Sequence, residues 1–417
     1  MTDLTNYRVG LYLAYRQIRR ASLWTTGLTI FVMVLTFLNL VVVSGVLVGL
    51  IQGAINATRE GYIGDVIIST LDDKEYIENS GNLIAAISTI PEIERFTPRY
   101  REAGTLEANY KTRRETDKPN TAGAQLVGID PAAEDSVTDL RAKVVEGSYL
   151  EPGDYDQVLL GQYLLTQYIP VETPAFSTLD HVGVGTKVRM KVGDVTREVT
   201  VKGIVKAKVD EVSMSAYMVD SQFRGMIGRS DGNVDEISMQ IAAGADPVAV
   251  RDALKRLGAD RYAKVQTFDE GQPKFLKDMI TTFNMLGNAF SSIGLVVAAI
   301  TIFIVIFINA LTRRKYIGIL KGIGVNGRAI EISYVIQSIF YAAIGSAIGV
   351  ALVYLVLVPA IAAHPIDFPF SDGILVAPIA QTLLRMGILI TVTVIAGFVP
   401  AWMIVRKNTL DSILGRN

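Results

Sequence analysis

Four runs of the chain, 21–58, 279–312, 332–366 and 386–405, hold no charged side chain, while charged and apolar positions alternate elsewhere. A membrane crossing needs about 20 apolar residues, so each run predicts one spanning helix. Between the first and second lies a long block, 53–280, patterned like a water-facing fold. There Val188, Met190 and Val192 share one face while Lys187, Arg189 and Lys191 share the other, the period of a half-buried strand. Gly193-Asp194 reads as a two-residue turn into a second alternating run, 195–201. Asp246-Pro247 predicts a helix start, with Val250, Ala253, Leu254 and Leu257 on one face and Gly258 as the stop. Alternation over 236–241 and 262–267 places strands on either side of it. A matching earlier unit runs from Asp65-Val66-Ile67-Ile68 through an apolar helix at 83–87 to a strand from Tyr100 onward. Residues 121–230, richer in glycine and β-branched residues, predict an inserted and mostly β lobe. The run 109–120, with Lys111, Arg113, Arg114 and Lys118, reads as an exposed hairpin tip, or else as a docking surface for a partner or lipid headgroups.

The charges sort by region. Residues 53–280 contain 27 Lys+Arg against 36 Asp+Glu, so the remainder of a chain whose net charge is -1 is strongly basic. Short loops that stay in the cytoplasm collect Lys and Arg, and the basic residues outside the block fall in three such places. These are Arg8, Arg16, Arg19 and Arg20; Arg313, Arg314, Lys315, Lys321 and Arg328; and Arg406, Lys407 and Arg416. The connection around His364-Pro365-Ile366-Asp367 has no Lys or Arg and carries Asp367 and Asp372, as expected of an outer loop. Arg385 is expected to snorkel to that outer interface. Four crossings then put both termini in the cytoplasm and the large block outside, in a multi-pass protein of the cytoplasmic (inner) membrane. Trp24 and Trp402 fall at the predicted inner ends of spans, where amphipathic rings favour the headgroup level. The first apolar run exceeds a signal-peptide core and reads as a retained anchor. The uncharged stretches beside the block, 51–58 and 279–285, exceed one crossing and predict helices continuing outward as a stalk.

The chain has no cysteine and two histidines, His181 and His364, neither beside a carboxylate cluster, which speaks against disulfides and against metal or histidine-based catalytic chemistry. Gly183-Val184-Gly185-Thr186-Lys187 lacks the spacing that cradles phosphates, so the sequence offers no nucleotide site. Nothing points to nucleic acid. Gly45, Gly49 and Gly53 recur every four residues in the first span, and Gly345 and Gly349 do so in the third. Such spacing lets backbones approach closely in lipid, for packing within one subunit or at a dimer seam. Asn39, Asn284, Asn288 and Asn309, polar positions on apolar helices, predict interhelical hydrogen bonds.

The segment Arg313-Arg314-Lys315-Tyr316-Ile317-Gly318-Ile319-Leu320-Lys321-Gly322-Ile323-Gly324-Val325-Asn326 is the most specific motif. By its pattern alone it is either a re-entrant turn anchored by positive charge, or a short apolar helix whose Ile317, Leu320 and Ile323 enter a groove on a cytoplasmic partner. Gly322 and Gly324 would then permit a tight turn into the next span. It resembles the coupling segment of the FtsX-type ABC transporter permeases, the superfamily that includes the lipoprotein-releasing LolC/LolE permeases and the MacB efflux pumps. Ala396-Gly397-Phe398-Val399-Pro400-Ala401-Trp402 and Leu410-Asp411-Ser412-Ile413-Leu414 resemble that family's ending. Val127-Gly128-Ile129-Asp130-Pro131, Glu146-Gly147-Ser148-Tyr149-Leu150 and Val158-Leu159-Leu160-Gly161 resemble its extracytoplasmic domain. Tyr316 stands where the family usually has Glu, Gln337 where Glu is frequent, and Thr409 where Pro is common.

The resemblance implies an α-helical membrane protein with four transmembrane helices and a large α+β extracytoplasmic domain, a MacB-like periplasmic core, between the first two. The expected layout is a cytoplasmic amphipathic helix at 1–20, spans at 21–52, 281–312, 330–358 and 384–405, and the outer domain at 53–280 with its β-rich insertion at about 121–230. A cytoplasmic coupling segment follows at 313–329, an outer loop at 359–383 and a cytoplasmic tail at 406–417. It further implies that Arg313, Arg314, Ile317, Gly318, Leu320, Lys321, Gly322, Ile323 and Gly324 meet a separate dimeric ABC ATPase, which holds the ATP and Mg that this non-enzymatic chain does not bind. A second permease copy or paralogue is implied, with Gly45 and Gly49 as candidates for the seam or for contacts beside a substrate path. The expected partners also include membrane lipids, a lipoprotein substrate, and a periplasmic carrier or adaptor. The leading expectation is lipoprotein release from the membrane, closest to LolC/LolE. MacB-like efflux of peptides or drugs and FtsX-like signalling to a cell-wall hydrolase are the alternatives.

Overall fold

The long uncharged runs all become helix. The computed structural model describes residues 3–114, 118–169, 177–364, 367–368, 371–372 and 375–406. Pro365 and Ile366 of the expected outer loop and the tail positions Lys407, Thr409, Leu410 to Leu414 and Arg416 lie outside the described residues. An N-terminal helix, α1 (Asp3–Arg19), precedes α2 (Leu23–Leu38) and α3 (Ser44–Thr58), which are joined by a π-helical stretch at Asn39–Val43. A second π stretch at Arg59–Ile63 ends this helical run, which is continuous from Leu23 to Ile63. Within the compact unit formed by residues 1–51, 279–368 and 372–417, α1 buries Asn6 and Ala14 and exposes Tyr7, Leu11, Tyr12 and Tyr15.

The inter-span unit, residues 52–278 and 369–371, is α+β. In chain order it contains β1 (Val66–Ser69), α4 (Ser80–Ile87), β2 (Ile93–Ala108), β3 (Asn120–Ile129), α5 (Pro131–Thr138), β4 (Val144–Gly147) and β5 (Gln157–Gly161). There follow β6 (Lys187–Val192), β7 (Val195–Val205), α6 (Asp210–Ser213), β8 (Ser215–Val219), α7 (Asp220–Met226), β9 (Glu236–Ile241), α8 (Pro247–Arg256), β10 (Lys264–Thr267) and α9 (Phe268–Gly271). The β6–β7 hairpin turns at Gly193-Asp194, where Gly193 takes φ 52°, and pairs Val192 with Val195. Asp130 caps α5 by accepting from the Ala132 and Ala133 amides, and Asp246 caps α8 by accepting from that of Val248; each is followed by a proline that fits the first helical position.

All ten of these strands join one sheet, in the order β10-β1-β9-β2-β3-β8-β5-β7-β4, with β6 pairing both β2 and β7. The pairings β2-β3, β3-β8, β8-β5, β5-β7, β7-β6 and β6-β2 therefore close a ring. The stretch expected as a β-rich insertion, about 121–230, supplies β3 to β8 of this sheet. Strand β2 is 16 residues long and serves both parts: its first half pairs β9 and its second half pairs β3 and β6. The ring is filled by inward residues at alternate positions, among them Leu106, Leu126, Val158, Leu160, Met190, Val201 and Met218, all buried. Closure leaves these strands without a free edge inside the ring.

The helical unit resumes with α10 (Lys274–Thr312), α11 (Arg314–Gly322), α12 (Gly327–Leu352), a π stretch at Val353–Leu357, and α13 (Val358–Ala363). Two short strands, β11 (Asp367–Phe368) and β12 (Ser371–Asp372), precede α14 (Ile379–Val405). With the Leu23–Ile63 run, this gives four helices long and apolar enough to cross a membrane among the described residues. Small residues let them pack. A Cβ built on Gly345 would lie 2.4 Å from Met33 Cβ, one on Gly349 2.3 Å from Phe37 Cδ1, and one on Gly397 1.9 Å from Ser338 Oγ. The backbones of α12 and α2, and of α14 and α12, thus approach at distances only glycine permits. Arg385, expected at the outer interface, donates through Nη2 to Ser44 Oγ at the start of α3.

Candidate functional site

The motif that the sequence singles out is a nine-residue amphipathic helix, α11, closed by a Schellman turn. Gly324 has φ 94°, its amide donates to the Lys321 carbonyl at 3.1 Å, and the Val325 amide donates to the Leu320 carbonyl at 3.0 Å. Leu320 and Val325, the pair such a turn brings together, both pack against the same apolar cluster. Asn326 then caps α12, accepting from the Arg328 amide at 3.0 Å. Lys321 Nζ donates to the Val405 carbonyl at 2.9 Å, fastening α11 to the last residue of α14.

The faces of α11 differ from the expectation. Ile317 is 4% exposed and sits in the cluster with Ile330, Tyr334, Ile404 and Val405, and Gly318 is buried beside it. Leu320 is half-buried on the same side, as are Arg313, Arg314 and Lys321. Ile317 and Leu320 are therefore anchors of the helix, not a surface for a partner. The outward stripe is Tyr316, Ile319 and Ile323, respectively 69%, 50% and 73% exposed, at the i, i+3, i+7 spacing of one helix face. Gly322 and Gly324 are exposed, with open space where a Cβ would stand. The sequence shows two apolar stripes on α11, and only the packing tells which one faces the bundle.

The glycine series also resolves to contacts within this chain. Gly45 and Gly49 are buried. The Gly45 carbonyl accepts from the Val376 amide at 3.1 Å, and a Cβ there would lie 2.9 Å from Leu375 Cδ1. A Cβ on Gly53 would meet Ser371 Oγ at 1.8 Å. Gly345 and Gly349 receive Met33 and Phe37 of the same chain. The face of Gly45 expected at a dimer seam is therefore filled by the chain's own 375–376 segment.

The inter-span unit holds a buried ionic network that sequence reasoning missed. Arg99, 2% exposed, donates through Nε and Nη2 to the two oxygens of Glu134 at 2.8 Å each, and through Nη1 to Glu236 Oε1 at 2.6 Å. Arg101 Nη1 donates to the other Glu236 oxygen at 2.6 Å. The hydroxyls of Thr97 and Thr138 donate to Glu134 at 3.0 Å. Tyr62 completes the cluster: the Arg99 and Arg101 guanidiniums lie 5.1 and 5.7 Å from its ring centroid. Burial pushes the Glu236 carboxyl up, but the two guanidiniums outweigh it and hold the group below the ordinary carboxylate range. Two arginines and two carboxylates balance in charge, which is what permits such groups inside a protein. Lys111 pairs with Glu198 at 2.5 Å and Arg113 with Glu107 at 3.7 Å.

Comparison with known proteins matches residues 288–409 to the FtsX-like permease C-terminal family model and residues 26–257 to the MacB-like periplasmic core domain model. An uncharacterised ABC transporter permease of Methanocaldococcus jannaschii is 26% identical over 238 residues, 54% of this chain and 58% of that protein. The macrolide export ATP-binding/permease protein MacB of Bdellovibrio bacteriovorus is 28% identical over 129 residues, 28% of this chain and 20% of that protein. The chain thus matches little more than half the length of the first relative and a fifth of the second. Among solved structures, the periplasmic region of MacB from Actinobacillus actinomycetemcomitans aligns with a TM-score of 0.37 at 17% identity, covering 52% of this chain and 94% of that one.

Proposed function

We propose, because the chain belongs to the ABC transporter permeases of the MacB/FtsX type, that it is the membrane subunit of an ATP-driven machine whose ATPase is a separate dimer docking on the outward stripe of α11. The observation that carries this reading is the anchoring of that stripe. Ile317 and the Lys321–Val405 bond hold α11 to the helix ends while Tyr316, Ile319 and Ile323 stand free to enter a partner's groove. ATP and Mg act on the partner, and its closure is passed through α11 to the spans. The inter-span domain, on the extracytoplasmic side, then moves to release or hand over a lipid-anchored or hydrophobic cargo. Both termini lie in the cytoplasm on this reading, since the basic residues cluster there. The cargo we favour is a lipoprotein passed to a periplasmic carrier. Efflux through an adaptor is the second reading, favoured by the match to a macrolide export relative.

The test is ATP turnover by the tagged chain purified with its native partners. Ile319→Glu and Ile323→Glu are expected to leave the protein monodisperse while abolishing ATPase capture and coupled turnover. Capture and turnover unchanged in both variants would end the proposal. A lipoprotein or its carrier in the captured set favours release, an adaptor favours efflux, and a cell-wall hydrolase in their place would transfer the protein to a signalling role.

A further inference from the structure

At the end of the helical unit that carries Arg313, Arg314 and Lys315, the first turn of α2, the last turn of α10 and the middle of α12 enclose a cavity of about 160 Å³. Its lining is mostly polar. Ser22 is the N-cap of α2 and makes no side-chain capping bond, and the first amide of that helix to find a backbone partner is Thr26, which donates to the Ser22 carbonyl. The earlier amides of the first turn are the unsatisfied groups that make a helix N-terminus attractive to anions. Across the cavity stands Arg313, whose planar guanidinium suits a phosphate. Asn309 adds a side-chain amide. Gln337 Nε2 is engaged with Gln17 Oε1 at 2.5 Å and the Ser333 carbonyl at 3.1 Å, so the cavity wall is braced from α1. No carboxylate is among the lining residues.

The decisive group is Tyr334. It lines the cavity and is 1% exposed, and its hydroxyl has no hydrogen-bond partner among the described residues. A buried polar group left unpaired costs roughly 1–3 kcal/mol, a cost that an acceptor bound in the cavity would remove. We infer that this cavity binds a phosphate group, held by the α2 amides, the Arg313 guanidinium and the Tyr334 hydroxyl. The site stands at headgroup depth: Trp24, 88% exposed, projects from the same first turn of α2, and such rings mark the membrane interface. A phospholipid headgroup and a soluble phosphate share this chemistry. The site is distinct from the outward stripe of α11 and does not rest on ATPase coupling.

The test uses the full chain, delipidated in detergent and titrated with phosphatidylglycerol or with diacylglycerol of the same tails while adducts are counted by native mass spectrometry. Inorganic phosphate is added in a parallel thermal-shift series. The chain is expected to hold phosphatidylglycerol at least tenfold more tightly than diacylglycerol. Each of Arg313→Gln and Tyr334→Phe, the second differing by one oxygen and so keeping the packing, is expected to reduce that preference by about tenfold, the size of one hydrogen bond to a charged group. Stabilisation by inorganic phosphate that both variants lose would assign the site to a soluble phosphate instead of a headgroup. Equal retention of the two lipids, with no effect of phosphate, or binding unchanged in the monodisperse variants, overturns the inference.

Discussion

The helical unit and the inter-span unit solve the same problem, a defined packing, with opposite materials. In the helical unit the contacts that fix geometry are glycines against side chains: Gly345 on Met33, Gly349 on Phe37, Gly397 on Ser338. Hydrophobicity gives little direction where the surroundings are as apolar as the core, so closeness of approach decides the arrangement. In the inter-span unit, apolar burial in the strand ring is ample, and direction comes from charges. Arg99, Arg101, Glu134 and Glu236 tie β2, β9 and α5 together through directional, charged hydrogen bonds. The lesson is that each unit takes its specificity from whatever its surroundings make costly to misplace.

The comparison can be broken first at Arg99. Arg99→Met leaves Glu134 and Glu236 buried with their main partner gone, and the inter-span unit is expected to lose about 3–5 kcal/mol, read by denaturant unfolding followed with hydrogen exchange in β2. Protection in α2 and α12 should not change; if it falls equally, the units are not separately specified. Next, Gly349→Val drives a branched side chain into Phe37 and is expected to cost about 1–3 kcal/mol by overpacking, visible as a lower melting temperature with protection lost in α2 and α12 only. Gly324→Ala places a Cβ at φ 94°, and a penalty of about 1–2 kcal/mol should loosen α11, raising exchange at the Val325 amide. The smallest effect is acid sensitivity. A carboxyl held below its ordinary value adds stability that is present above about pH 4.3, where an unfolded glutamate ionises, and is lost as pH falls through the folded value. Wild type is therefore expected to lose more stability on acidification below pH 4 than Glu236→Gln does, and parallel pH profiles for the two would remove Glu236 from the account.

What the sequence disclosed follows the range of the interactions involved. The spans, the Gly193-Asp194 hairpin, the Asp246-Pro247 helix start and the Gly324 turn all rest on neighbours a few residues apart, and pattern reading finds them. The ionic network joins residues 35 and 137 positions apart, and each member, read alone, is one more polar residue on a strand or, for Glu134, on a short helix. The ring closes through β6 on β2, a pairing of Arg189 with Glu107 and its neighbours, and no local signal marks it. On α11 the periodicity was visible but its orientation was not, because Ile317 and Ile323 are the same residue type and only Ile330, Ile404 and Val405 decide which turns inward. Gly45 had the same ambiguity, settled by the 375–376 segment.

The π stretches at Asn39–Val43 and Val353–Leu357 have a further consequence for how spans one and three are phased. Each wide turn accommodates one residue more than an α-helix would. Since an α-helix advances about 100° and 1.5 Å per residue, the surplus residue works as a gear tooth: everything beyond it is clocked by that angle relative to everything before. Met33 and Phe37, which seat Gly345 and Gly349, lie on one side of the first tooth, and Gly45, which seats Val376, lies on the other. One helix thereby presents two separately aimed faces to two different neighbours, and removing a single residue from 39–43 would set those faces against each other.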